Sequence, residues 1–100
     1  MTSQALQNKT IFITGGAKRI GAAMARHFHA NGANLILHYR NSVDEAQALA
    51  SELLQGRPDS VALIQADLLD TAGLAKVAAE SEQAFGQLDV LINNASSFYP

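Results

Sequence analysis

Thr14-Gly15-Gly16-Ala17-Lys18-Arg19-Ile20-Gly21 follows the apolar run Ile11-Phe12-Ile13 and opens a segment of helical period. Glycines at such a junction permit a tight turn and let an anion approach free backbone N–H groups. The positive end of the helix dipole favours that anion. The chemistry implied is diphosphate binding, with Gly15, Arg19, Ile20 and Gly21 around the ligand. A bare glycine pattern is weak, but a preceding strand, a following helix and a surrounding βαβ unit are the context that qualifies it. A tight turn without a ligand is the alternative. Arg19 stands where a Gly-x3-Gly-x-Gly turn has its middle glycine, with Lys18 beside it. Two cations at the positive end of a helix are unfavourable unless an anion offsets them, which points to a phosphorylated ribose. The bland reading is a solvated charge pair.

The end of the second apolar run reads His38-Tyr39-Arg40-Asn41-Ser42, and the first acid is delayed until Asp44. An acidic side chain at this place would bind the 2′-hydroxyl of NAD; a cation among hydrogen-bond donors suits the 2′-phosphate of NADP. An exposed polar loop with Ser42 as a helix cap is the competing reading. Asp67 follows the third run and Asn93-Asn94-Ala95 the fourth, both at strand ends where open α/β sheets bind ligands. They suit adenine and ribose, although Asp and Asn also shape turns. Ser96, Ser97, Phe98 and Tyr99 continue the loop, where an aromatic side chain either stacks on a flat heterocycle or packs against another segment. His27 and His29 are two apart on a helix and diverge, and no Cys or acid cluster completes a site, so both are expected to be exposed and no metal is expected.

Four apolar runs, Ile11 to Ile13, Leu35 to Leu37, Val61 to Ile64 and Val90 to Ile92, alternate with three helical segments. That alternation predicts α/β architecture: a parallel sheet, helices on both faces, and one half of a doubly wound Rossmann arrangement. The near-continuous apolar runs predict strands buried on both faces. The first helix is expected from about Arg19 to Asn31, with Ile20, Met24 and Phe28 on one inward stripe and Asn31-Gly32 as its stop. Ser42 and Glu45 have the spacing of a capping box, followed by Ala46, Leu49, Ala50, Leu53 and Leu54 before Gly56 and Pro58. The third helix opens at Asp70, turns Leu74, Val77, Ala78 and Phe85 inward, and stops at Gly86. The expected strand order is 3-2-1, with the fourth strand beginning the other half of the sheet.

The chain has 100 residues, 48% hydrophobic and 16% charged, with a formal net charge of -2, so wholesale disorder is excluded. Near-neutrality supplies no basic field for nucleic acid. Zero cysteines exclude disulfides, thiolate nucleophiles and sulfur-ligated zinc, and fit a cytoplasmic location. Neither a signal peptide nor a membrane span is read from the sequence. The chain stops directly after a loop, the pattern expected of a fragment: residues 1–100 as the N-terminal, NADP-binding part of a single domain.

These residues resemble the N-terminal part of a short-chain dehydrogenase/reductase, through Thr14 to Gly21, Asp67 and Asn93 to Ser96. Arg19 for the middle glycine and Ser96 for the final glycine of the Asn-Asn-Ala-Gly loop are similar to a narrower branch, the pteridine reductases. So are the His-Tyr-x-x-Ser stretch at His38 to Ser42 and the run Asn93 to Pro100. The resemblance implies NADPH-dependent reduction of a dihydropterin or biopterin-like substrate, with dihydrofolate a further candidate. It places Arg19, Tyr39, Arg40, Asn41 and Ser42 around the 2′-phosphate and pyrophosphate, Asp67 and Leu68 at the adenine, and Asn94, Ala95 and Ser96 at the ribose. Ser96 and Phe98 would meet the pterin. Arg40 stands one place before the branch's usual Arg, at Asn41, so the phosphate contacts do not transfer atom by atom. The family's proton donor, a Tyr-x-x-x-Lys, is absent: Tyr39 and Tyr99 are the only tyrosines. The fragment alone is therefore expected to be inactive. The resemblance also implies a homo-oligomer, a tetramer, or a chain paired with one that carries the C-terminal part. Two other readings stand beside this one: a reductase of the same superfamily acting on a carbonyl such as a 3-oxoacyl thioester, and a non-catalytic NADP-sensing protein.

Overall fold

All four residues of the first strand, β1 (Thr10–Ile13), are buried, the signature of a strand covered on both faces. The computed structural model describes residues 6–15, 19–65, 79–80 and 82–92. Its elements run β1, α1 (Arg19–Ala30), β2 (Asn34–Tyr39), α2 (Val43–Gly56), β3 (Val61–Gln65) and β4 (Val90–Ile92). The strands form one parallel sheet in the order β3-β2-β1-β4, as the alternation of the sequence requires. Asp89 sets one edge of that register. Its carboxylate accepts the Thr10 amide at 2.8 Å and its own amide donates to the Thr10 carbonyl at 2.9 Å, just before Ile11 pairs with Val90.

The pleat sorts the core into two layers. Ile11, Ile13, Leu35 and Leu37 pack with Ala22 and Ala25 of α1 and Leu49 and Leu53 of α2. Phe12, Ile36 and Ile64 point to the opposite face, where Phe85 of the helical stretch 82–85 packs against them. That stretch ends at Gly86, whose φ of 77° is left-handed, as the sequence predicts; Asp70, Leu74, Val77 and Ala78 lie outside the described residues. Val90 and Leu91 of β4 remain exposed apolar side chains on the outer strand.

Three local expectations are corrected. The buried stripe of α1 is Gly21, Ala22, Ala25 and His29, while Ile20 is 70% exposed and Met24 and Phe28 sit at the margin of the core. Small residues let α1 lie close on the sheet, which swings the larger apolar side chains to its flank. Second, the Ser42 side chain makes no capping bond to α2; its carbonyl instead accepts the Ala46 amide at 2.9 Å. The inward positions of α2, Ala46, Leu49, Ala50 and Leu53, are as expected, with Leu54 half-buried.

Third, His29 is buried, not exposed. Gly32, at φ 99°, ends α1 in a Schellman turn, with the Ala33 amide donating to the Phe28 carbonyl and the Gly32 amide to that of His29. The Arg57 guanidinium, reaching in from the end of α2, donates to the carbonyls of His29, at 3.0 Å, and Ala33. The Ser60 hydroxyl donates to the Arg57 carbonyl at 2.5 Å, so its oxygen accepts from the His29 Nε2–H at 2.7 Å. Burial, and secondarily the charge of Arg57, hold the His29 imidazole below its ordinary pKa.

Candidate functional site

Parallel strands deliver all four C-terminal ends to one edge of the sheet, and the chemistry-bearing segments leave from that edge. Thr14 binds the turn after β1 to the last residue of β4: its amide and its hydroxyl both donate to the Ile92 carbonyl, at 3.0 and 3.3 Å. Gly15 follows with φ 61°, a conformation that glycine reaches without the Cβ clash of other residues. Its amide donates to Nδ1 of His38 at 3.0 Å, which joins the turn to the end of β2. Arg19 begins α1 at φ 51°, left-handed for a residue with a Cβ. The missing middle glycine therefore has a backbone counterpart: the turn still needs the conformation, and Arg19 supplies it under strain. The Arg19 and Ile20 side chains are exposed at the start of α1, whereas Gly21 is buried against the sheet.

At the end of β2 the expected polar loop begins later than the sequence suggests. His38 and Tyr39 belong to the strand, and His38 is buried with its ring stacked on Phe12, centroids 6.3 Å apart. Tyr39 and Ser42 are half-buried; Arg40 and Asn41 are exposed. Gln65, the last residue of β3, donates from Nε2 to the Arg40 carbonyl at 2.9 Å and so holds the backbone that presents the Arg40 guanidinium. The structure thus brings Thr14 and Gly15 at the start of the glycine turn, the β2 end and the β3 end into one connected edge. Asp67, Leu68, Asn94, Ala95, Ser96 and Phe98 lie outside the described residues, although β3 ends at Gln65 and β4 at Ile92 on that same edge.

Sequence reasoning missed Thr14, His38 and Gln65 as parts that hold this edge together. A signal existed for His38: continuing the period-two alternation from Ile36 puts it on the Phe12 face of the sheet. Among the described residues no cluster of His, Asp or Glu is arranged to hold a metal ion, and no helix is long and apolar enough to cross a membrane.

A family model described as short chain dehydrogenase matches residues 9–98. Pteridine reductase 1 of Leishmania tarentolae is 39% identical over 105 residues, covering 88% of this chain and 36% of that protein. Dehydrogenase/reductase SDR family member 7B of Mus musculus is 40% identical over 97 residues, covering 94% and 30% respectively. A solved dehydrogenase/reductase from Sinorhizobium meliloti 1021 superposes with a TM-score of 0.87 at 39% identity, covering 95% of this chain and 37% of that one. The chain spans well under half the length of each of these relatives.

Proposed function

Since the chain belongs to the short-chain dehydrogenase family, we propose that it binds a nicotinamide dinucleotide across the C-terminal edge of its sheet, and NADPH in preference to NADH. The observation that carries this reading is two exposed cations, Arg19 at the start of α1 and Arg40 just past β2, the strand that pairs with β1, with no acid from His38 to Ser42. A 2′-phosphate adds charge that a guanidinium offsets and a carboxylate repels. Gly15, Ile20 and Gly21 hold the pyrophosphate, with Arg19 between it and the 2′-phosphate. Tyr39, Arg40, Asn41 and Ser42 surround the 2′-phosphate, Asp67 and Leu68 take the adenine, and Asn94, Ala95 and Ser96 take the ribose.

For the complete protein we propose reduction of a pterin. The run Asn93 to Pro100 and the similarity to Pteridine reductase 1 of Leishmania tarentolae support that substrate class. When bound, the nicotinamide supplies the hydride. The chain's own residues do the rest of what this half contributes: backbone amides of the turn receive the diphosphate, guanidinium groups fix the charged ribose, and Ser96 and Phe98 orient and stack the flat substrate. The proton comes from a general acid outside these 100 residues. A carbonyl substrate is the second reading, supported by the 40% identity to Dehydrogenase/reductase SDR family member 7B of Mus musculus.

Titration of the full-length protein with NADPH and NADH tests the cofactor assignment. Arg40→Asp is expected to weaken NADPH by roughly tenfold to a hundredfold, as for loss of one charge-assisted bond, and NADH far less. Equal losses for both dinucleotides would remove the 2′-phosphate assignment. Turnover of a dihydropterin against a 3-oxoacyl thioester, followed by oxidation of the reduced nicotinamide, separates the two substrate readings.

A further inference from the structure

Glycine at φ 61° is permitted but not compelled, so something outside Gly15 must select that conformation from the many that glycine explores. One contact that can do so is the 3.0 Å bond from the Gly15 amide to Nδ1 of His38. The acceptor is itself enclosed: His38 is 4% exposed, stacked on Phe12, and in register opposite Ile64. We infer that His38 is a positioning residue for the dinucleotide site, its Nδ1 lone pair fixing the Gly15 amide and so the backbone at the entry to the turn that receives a diphosphate. The inference rests on the cofactor reading above.

The chemistry is specific to one form of the ring. An N–H donor at Gly15 requires a lone pair at Nδ1, so the imidazole is neutral with its proton on Nε2. What matters at position 38 is then an acceptor one bond beyond Cγ, and the ring is the means of holding it. Two substitutions separate these properties. His38→Asn keeps an acceptor atom, Oδ1, at the same bonded distance from the backbone and removes the stacked ring. His38→Phe keeps a ring against Phe12 and removes the acceptor of this part-buried bond.

The test is calorimetric titration of NADPH into the full-length protein and both variants, with thermal midpoints recorded alongside. His38→Asn is expected to stay within about threefold of wild type, and His38→Phe to lose roughly tenfold or more. The reverse order, or equal affinities for the two variants, overturns the proposal, because either result makes the residue a packing element. Should His38→Phe fail to fold, nitrogen NMR of the wild-type imidazole decides: an unprotonated Nδ1 coupled to the Gly15 amide supports the proposal, and a protonated Nδ1 sinks it. A wild-type protein that binds neither NADPH nor NADH overturns the cofactor reading together with the proposal. Normal wild-type binding with an unaffected His38→Phe overturns the proposal alone.

Discussion

Replacing Arg57 by Met keeps an aliphatic stem and deletes the guanidinium that closes the C-terminal end of α1. Two bonds are lost, to the carbonyls of His29 and Ala33. A bond from a charged donor contributes about 1.5–3 kcal/mol when fully withdrawn from water. Arg57 is only half-buried, so part of that is recovered by solvent, and about 2 kcal/mol in total is the expected loss of folding stability near neutral pH. The same substitution changes the pH dependence. The folded-state pKa of His29 lies below its ordinary value of 6.5, through burial first and the charge of Arg57 second. Above 6.5 the ring is neutral in both states and contributes no pH dependence. As pH falls below 6.5 the unfolded chain takes up a proton that the folded state resists, so wild-type stability declines until the folded pKa has been passed. Arg57→Met removes one cause of that resistance and suffers a smaller acid decline. Urea unfolding of the full-length protein and the variant, followed by circular dichroism at about pH 8 and about pH 5, reads both effects. The gap between the two proteins should be about 2 kcal/mol at the higher pH and narrower at the lower one. A gap that widens on acidification, or one under about 0.5 kcal/mol at the higher pH, would refute the reasoning.

Two further substitutions probe the ligand edge and the sheet register. Arg19→Gly should move stability and affinity in opposite directions: relief of a left-handed residue, about 1–2 kcal/mol, outweighs or balances the roughly 0.5–1 kcal/mol entropic cost of glycine, so the thermal midpoint holds or rises while NADPH affinity falls. A lowered midpoint would show that the φ of 51° carries no strain. Asp89→Ala removes the carboxylate that accepts the Thr10 and Gln87 donors, so the Thr10 amide should exchange with solvent faster by about tenfold; unchanged exchange would mean that strand pairing alone sets the β1–β4 register.

Where the chain was legible and where it was not follows from how far apart the interacting residues stand. Strand order, the inward face of α2 and the glycine stop of α1 depend on periodicity and turn residues within a few positions, and each is visible in the sequence. The capping role of Ser42 is equally local yet absent, because a spacing permits a capping bond without requiring the side-chain rotamer. His29 reads as a surface residue because it stands two positions from His27 on the helix, so the two diverge, and no Cys or acid cluster completes a site. Its partners, Ser60 and Arg57, lie 31 and 28 residues away and meet it only after α2 has brought the chain back. The candidate site divides in the same way. The glycine turn and the cationic end of β2 are legible as residue types, but the bond that joins them runs from Gly15 to His38, across 23 residues, and it is created by parallel pairing of β1 with β2. A polar side chain at the end of an apolar strand reads as the start of a loop. Only the neighbouring strand shows that the side chain faces inward and accepts from a backbone amide. The candidate edge is therefore built from two kinds of information: residue types carry the proposed anion, and strand register shows which groups tie the described backbone together.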